Sequence, residues 1–173
     1  MDKDARYWIE KLGLVPHPEG GFFAPAYRSP ERLEKKSLPC RFPSGRAFVS
    51  SIHYLLDRDS ISALHRLKSV EIWHYCAGSP LALHWIDTTG NLSMRLLGED
   101  LEQGQFFQVA IEPGCWFGAE IAGPGDFSLV SCVVVPGFDF EDFELGRRED
   151  LLATYPRHAA TIEKFTRLQF PDQ

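Results

Sequence analysis

The chain has 173 residues, 44% of them hydrophobic and 24% charged, a composition that fits one globular domain burying roughly 70% of its unfolded surface. A formal charge of −6 argues against nucleic acid or an anionic membrane as partner, since either needs a dense basic face. No apolar run reaches the roughly 18 to 20 residues of a membrane span.

The N-terminus, Met1-Asp2-Lys3-Asp4, is polar, with no hydrophobic signal core behind it. Asp4 can cap a short helix carrying Ala5, Trp8, Ile9 and Leu12 on one stripe, with Gly13 as its stop. His17-Pro18-Glu19-Gly20-Gly21 reads as a turn, and Phe22 to Arg28 as extended chain. Residues 29–46 hold too many breakers for regular structure and are expected to form a surface loop, a lid or an arm toward a neighbouring subunit.

From 47 to 135 short apolar runs alternate with turns. The runs are Ala47 to Leu56, Ser62 to Leu67, Val70 to Cys76, Leu81 to Ile86, Leu92 to Leu97, Gln105 to Ile111, Cys115 to Ile121 and Phe127 to Val135. Eight runs with no helical period between them predict an all-β fold, an antiparallel sandwich or jelly-roll barrel with its core at about 20–136. After Pro136-Gly137 the pattern becomes helical. A short helix starts at Glu149, a second follows Pro156 with Ala159, Ile162 and Phe165 on one face, and the helical segment spans about 147–168. No repeat or linker interrupts 1–173, so one domain is expected.

Cys40, Cys76, Cys115 and Cys132 are scattered, with no Cys-x-x-Cys pair. Cys76 and Cys132 lie in apolar runs, which predicts buried free thiols rather than disulfides or a zinc site. Together with the polar start, this suggests a cytoplasmic protein.

The residues that stand out for chemistry are His65 and Glu71, six apart on strand-like sequence. Alternate residues of barrel strands point inward, so two strands can aim both groups at one interior point, with Trp73 as an aromatic wall on the Glu71 face. The plain structural alternative is a buried His–Glu hydrogen bond holding two strands in register. Ser51 and His53 share a strand face, Gln105 and Gln108 straddle another strand, and any of these pointing inward would hydrogen-bond a polar ligand. The strand at 47–56 is apolar on both faces, so parity does not select its inner one. Asp139 and Asp142 read either as groups orienting His65 or as a turn cluster. No phosphate-cradling glycine loop, Gly-x-Ser-x-Gly or His-Glu-x-x-His occurs, which removes nucleotide hydrolysis, serine hydrolase and zincin readings.

The run His65-Arg66-Leu67-Lys68-Ser69-Val70-Glu71 with Gly78 resembles the first motif of a cupin barrel. Gly104 through Pro113-Gly114-Cys115-Trp116-Phe117 loosely resembles the second. Leu67 and Phe117 stand where that resemblance implies metal-ligating histidines. With His17-Pro18-Glu19-Gly20-Gly21-Phe22-Phe23, Tyr27-Arg28-Ser29 and Pro136 through Leu145, the chain resembles the cupin-five family of RmlC-like cupins along nearly its whole length. The resemblance implies a single antiparallel jelly-roll barrel with a short N-terminal helix and C-terminal helices, and a homodimer in which Gly21 to Arg28 exchanges between subunits.

A more distant similarity is to deoxysugar-nucleotide 3,5-epimerases, whose catalytic histidine is placed like His65. Gly20 and Pro25 replace their nucleotide-holding arginine and glutamate, and no tyrosine in 127–135 can serve as their general acid.

These readings converge on a barrel that binds a small polar metabolite, a sugar or carboxylic acid, with His65 as base oriented by Glu71. Ser51, His53, Trp73, Gln108, Phe117 and Asp139 are the expected substrate contacts, and no cofactor is called for. The alternatives are a divalent-metal oxygenase or isomerase using His65, Glu71 and a further histidine (His53, His74 or His84), and a binding protein without catalysis.

Overall fold

The computed structural model describes residues 3–166. Helix α1 (Ala5–Leu12) begins where expected. The Asp4 carboxylate accepts from the Tyr7 amide at 2.8 Å, and Gly13 ends the helix at φ 63°. The strands follow as β1 (Val15–Pro16), β2 (Phe22–Arg28), β3 (Arg32–Leu33), β4 (Arg46–Ala47), β5 (Ser50–Asp57), β6 (Ser62–Arg66) and β7 (Val70–Gly78). Then come β8 (Leu81–Ile86), β9 (Leu92–Leu97), β10 (Gln108–Ile111), β11 (Trp116–Ile121), β12 (Phe127–Val135) and β13 (Glu144–Leu145). The chain ends in α2 (Arg148–Thr154) and α3 (Ala159–Lys164), joined by a 3-10 turn with Pro156 in its first position.

Six strands form one sheet in the order β1-β2-β5-β12-β7-β10, and five face it in the order β13-β6-β11-β8-β9. The ladders are antiparallel, and consecutive strands often change sheet, which is the jelly-roll arrangement. Tyr54, Leu56, Trp73, Leu83, Phe117, Val130 and Cys132 fill the space between the sheets.

β5 shows why its sequence is apolar on both faces. Ile52, Tyr54 and Leu56 enter the inter-sheet core, while Leu55 turns outward to meet Leu14, Ala24 and Leu129 beneath the Trp8–Ile9–Leu12 stripe of α1. The smaller sheet is covered in the same way. Leu64, Ile86 and Trp116 on its outer side pack against Leu151, Ile162 and Phe165. Each of those three side chains is nearly fully buried, worth roughly 1.5 to 3 kcal/mol apiece as an upper bound. Helices as short as α2 and α3 have little stability of their own, so this docking holds them. The expected helical stretch over 167–168 lies outside the described residues.

Two local expectations change. Residues 29–46 are mostly irregular, but they carry the β3–β4 pair and a 3-10 turn at Lys35–Ser37, and Arg46 is fully buried. Cys76 is exposed rather than buried. It falls where the β7–β12 register slips between Tyr75 and Ala77, so no β12 residue stands opposite it. Cys115 and Cys132 are buried free thiols.

Candidate functional site

A cavity of about 340 Å³ opens between the two sheets at the β2–β5 end. Three chain segments build it. The turn before β2 supplies His17 and Glu19, and the strands supply Tyr54, His65, Glu71 and Cys132. The segment after β12 supplies Phe138, Phe140 and Phe143.

The turn is fixed tightly. Gly21 has φ +65°, and a Cβ there would sit 2.6 Å from the Leu55 carbonyl, so only glycine lets the chain pass. The Tyr54 hydroxyl donates to the Gly20 carbonyl at 2.8 Å, and the Ala63 amide donates to the Glu19 carbonyl at 2.8 Å. The Ser62 hydroxyl then donates to Glu19 Oε1 at 2.9 Å. A loop carboxylate is thereby buried beside β6, at 5% exposure.

His65 lies on β6 in the five-stranded sheet. Its Nδ1 is 2.8 Å from the Ala63 carbonyl, an acceptor only, so Nδ1 carries the proton. Its Nε2 lies 3.1 Å from Glu19 Oε2. The ring packs against Phe117 at 4.1 Å and Phe143 at 5.4 Å between centroids. Burial pushes its pKa down to about 4, against a partial rise from the Ala63 bond. The resting imidazole is therefore neutral near pH 7.

Glu71 faces the same cavity from β7, in the opposite sheet. Burial, followed by the nearby Glu19 charge, pushes its pKa up to about 8. Its Oε2 has no hydrogen-bond partner among the described residues. At neutral pH Glu71 is thus a protonated acid with an unused oxygen at the cavity wall. The buried Cys132 thiol beside it is held well above its ordinary pKa, chiefly by burial and then by Glu71. Burial likewise raises Tyr54 and lowers His17, with Glu19 opposing the His17 shift.

The residues expected from sequence divide clearly. His65 and Glu71 meet at the cavity, and Ser51 lines its mouth. The expectation that Glu71 orients His65 is corrected, because the Nδ1–H bond to the Ala63 carbonyl holds the ring and Glu19, not Glu71, lies beside Nε2. Trp73 stands one layer back, edge-on to Tyr54 at 5.6 Å and to Phe117 at 6.3 Å. Phe117 backs His65, its direct cross-strand neighbour.

His53 lies outside the cavity, because Ile52 and Tyr54 take the inner face of β5 and leave it the outer one. Gln108 is exposed on β10, opposite His74 on that same outer side. Asp139 caps the turn at Phe140–Asp142, accepting from the Glu141 amide at 3.0 Å. Glu19, His17, Tyr54, Cys132 and Arg28 were not among the expected site residues. The His-Pro-Glu-Gly-Gly run was the available signal for the first two, but spacing alone does not show that a turn carboxylate is buried.

The residues do not fit a divalent metal. Leu67 and Phe117 put hydrocarbon at two of the motif positions, both under 5% exposed. His65 has one nitrogen committed to a carbonyl. His74 lies on the outer face, and His84 lies against Phe165 at 4.9 Å. Among the described residues no group of three or more His, Cys, Asp or Glu side chains is placed to hold a metal ion.

A two-sheet antiparallel barrel with a cavity walled from both sheets is the architecture of a cupin. The chain belongs to the Cupin_5 family, Cupin superfamily (DUF985), whose profile matches residues 6–146. It is 31% identical over 172 residues to Uncharacterized protein YML079W of Saccharomyces cerevisiae, covering 94% of this chain and 83% of that protein.

Two solved structures are also similar. Protein SO0799 of Shewanella oneidensis is 40% identical with a TM-score of 0.85, over 98% of this chain and 100% of that one. A hypothetical protein from Leishmania major is 36% identical with a TM-score of 0.86, over 94% and 98%. Oxalate decarboxylase of Bacillus subtilis matches at 14% identity and a TM-score of 0.54, covering 91% of this chain and 38% of that one, and shares the fold alone.

Proposed function

We propose that this cupin binds a small organic molecule and shifts a proton on it without a metal, as an isomerase or epimerase does. One observation carries the reading. Two titratable groups on opposite walls of one cavity are pushed apart, His65 down to about 4 and Glu71 up to about 8. At neutral pH this leaves a neutral base facing a neutral acid.

The step uses a C–H next to a carbonyl. His65 Nε2 takes the proton and the C–H electron pair moves into the enolate. Glu71 gives its proton to the developing oxygen anion. The imidazolium formed has its Nδ1–H on the Ala63 carbonyl and its Nε2–H beside the Glu19 carboxylate, so Glu19 favours the charge that appears. Returning the proton to the adjacent carbon of an enediol, whose second hydroxyl gives its proton to Glu71, completes an isomerisation and restores both groups. A proton from water on the face opposite His65 completes an epimerisation, with the enol proton returning to Glu71 and the imidazolium proton passing to solvent.

The test is proton NMR of small oxo acids incubated with the protein in heavy water. Deuterium should enter at the carbon beside the carbonyl with the unaltered protein and cease with His65→Gln and with Glu71→Gln. Exchange that persists at full rate in both variants sinks the proposal.

A further inference from the structure

Arg28 ends β2 at the mouth of the cavity, exposed to solvent. Its Nη1 donates to the Phe138 carbonyl at 2.8 Å, and among the described residues it has no carboxylate partner. Arg46 is paired with Asp142, Arg66 with Glu144 and Lys164 with Glu120, whereas Arg28, like Arg32 and Arg41, donates to a backbone carbonyl; of these carbonyl-bound arginines Arg28 is the one that lines this cavity. The carbonyl bond sets the direction of the guanidinium and leaves its other donors unused.

Beside Arg28 lies an aromatic panel. Phe138 stands 5.0 Å from Phe140 and 6.2 Å from Phe143, and Phe143 continues inward to His65. Phe140 is 61% exposed, a large ring left in water at the mouth of a cavity. The panel therefore connects a free cation outside to the buried, unpartnered Glu71 Oε2 inside.

We infer that the ligand of this cavity is an organic acid with a flat apolar body. Its anionic group meets Arg28, its body lies along Phe138, Phe140 and Phe143, and one oxygen reaches Glu71. The inference rests on the proton-transfer reading only in placing the reacting end at Glu71. It narrows the expected sugar or carboxylic acid to the acid. A sugar would turn hydroxyls on all sides toward phenyl and aliphatic walls, and each hydroxyl left without a partner there opposes binding. An acid of this shape asks for one ion pair, one hydrogen bond and hydrocarbon between them.

Isothermal titration calorimetry with cinnamate, its neutral amide and glucose tests this at pH 7. Cinnamate should bind about tenfold or more tightly than cinnamamide, the range of a charge-assisted hydrogen bond, and glucose should give no heat. The preference should shrink with added salt. Arg28→Gln should make acid and amide equal, while Arg28→Lys should keep part of the difference. Arg28 is exposed at a strand end, so neither change threatens the fold.

Equal binding of acid and amide by the unaltered protein would overturn the inference, as would a preference that survives Arg28→Gln. Glucose binding without cinnamate binding would do the same, and so would the absence of cinnamate heat at millimolar concentration. Cinnamate has no enolisable C–H, so these titrations read recognition alone. Deuterium exchange without acid preference would refute the ligand class and leave the chemistry standing, and acid binding without exchange would do the reverse.

Discussion

Glu71→Gln should remove a specific slope from the pH dependence of stability. Glu71 ionises near 4.5 in the unfolded chain and near 8 in the fold, so across that window the folded protein holds a proton that the unfolded chain has lost. Stability therefore falls as pH rises from about 4.5 to about 8. His65 acts in the opposite direction. Its pKa drops from 6.5 to about 4 on folding, so its contribution is present above 6.5 and is lost as pH falls toward 4.

Between 4.5 and 6.5 the two slopes oppose each other, and from 6.5 to 8 Glu71 acts without that opposition. That last interval, at about 1.4 kcal/mol per pH decade, is worth about 2 kcal/mol, or roughly 4 to 8 °C in Tm for a chain of this size. Thermal melts at pH 6.5 and 8 should show the drop in the unaltered protein and its absence in the glutamine variant, which is neutral throughout. Comparing the two proteins cancels groups common to both. An equal drop in both would refute a protonated Glu71.

The pH profile of kcat/KM, once a substrate supports turnover, should be bell-shaped, with limbs near pH 4 for His65 and near pH 8 for Glu71. A falling limb that survives Glu71→Gln would remove Glu71 as the acid. Arg46 is fully buried and donates to Asp142 at 2.6 Å and 2.8 Å. Arg46→Ala leaves buried Asp142 with only Lys68, 3.7 Å away, and should cost about 3 kcal/mol in urea unfolding; a loss below 1 kcal/mol would show that the pair is not held. Asp142 adjoins Phe143, so ligand affinity should fall in the same variant. Leu67→His with Phe117→His should create divalent-metal uptake, read by elemental analysis after dialysis against zinc. If the doubly substituted, folded protein takes up no metal, the two positions do not converge with His65.

Much of the barrel was legible because strand signals are local. The runs at Leu81 to Ile86, Leu92 to Leu97 and Phe127 to Val135 end where the turns say they end. The Asp4 cap and the Gly13 stop are likewise properties of a few neighbouring residues. What sequence could not give is which face of a doubly apolar strand is inside. That depends on α1 covering Leu55, and it separates Tyr54 from His53. Glu19 escaped for the same reason. Its burial comes from Ser62 and Ala63, more than forty positions away, and a turn carboxylate is exposed by default. Cys76 looked buried because its neighbours are apolar, but a register slip is invisible in composition.

The hydrocarbon at Leu67 and Phe117 does more than remove metal ligands. Leu67 lines the cavity and Phe117 packs on the His65 ring. Their apolar surface contributes to the burial that lowers His65 and raises Glu71. A histidine at either place would bring a polar partner toward these groups, easing desolvation and returning both pKa values toward their ordinary range. Hydrocarbon at these two positions therefore bears at once on the missing metal ligands and on the opposed pKa shifts of His65 and Glu71. Glu71 is buried with an oxygen that has no hydrogen-bond partner among the described residues, and isolating that polar atom opposes folding. Keeping it there is intelligible if a ligand completes its hydrogen bond.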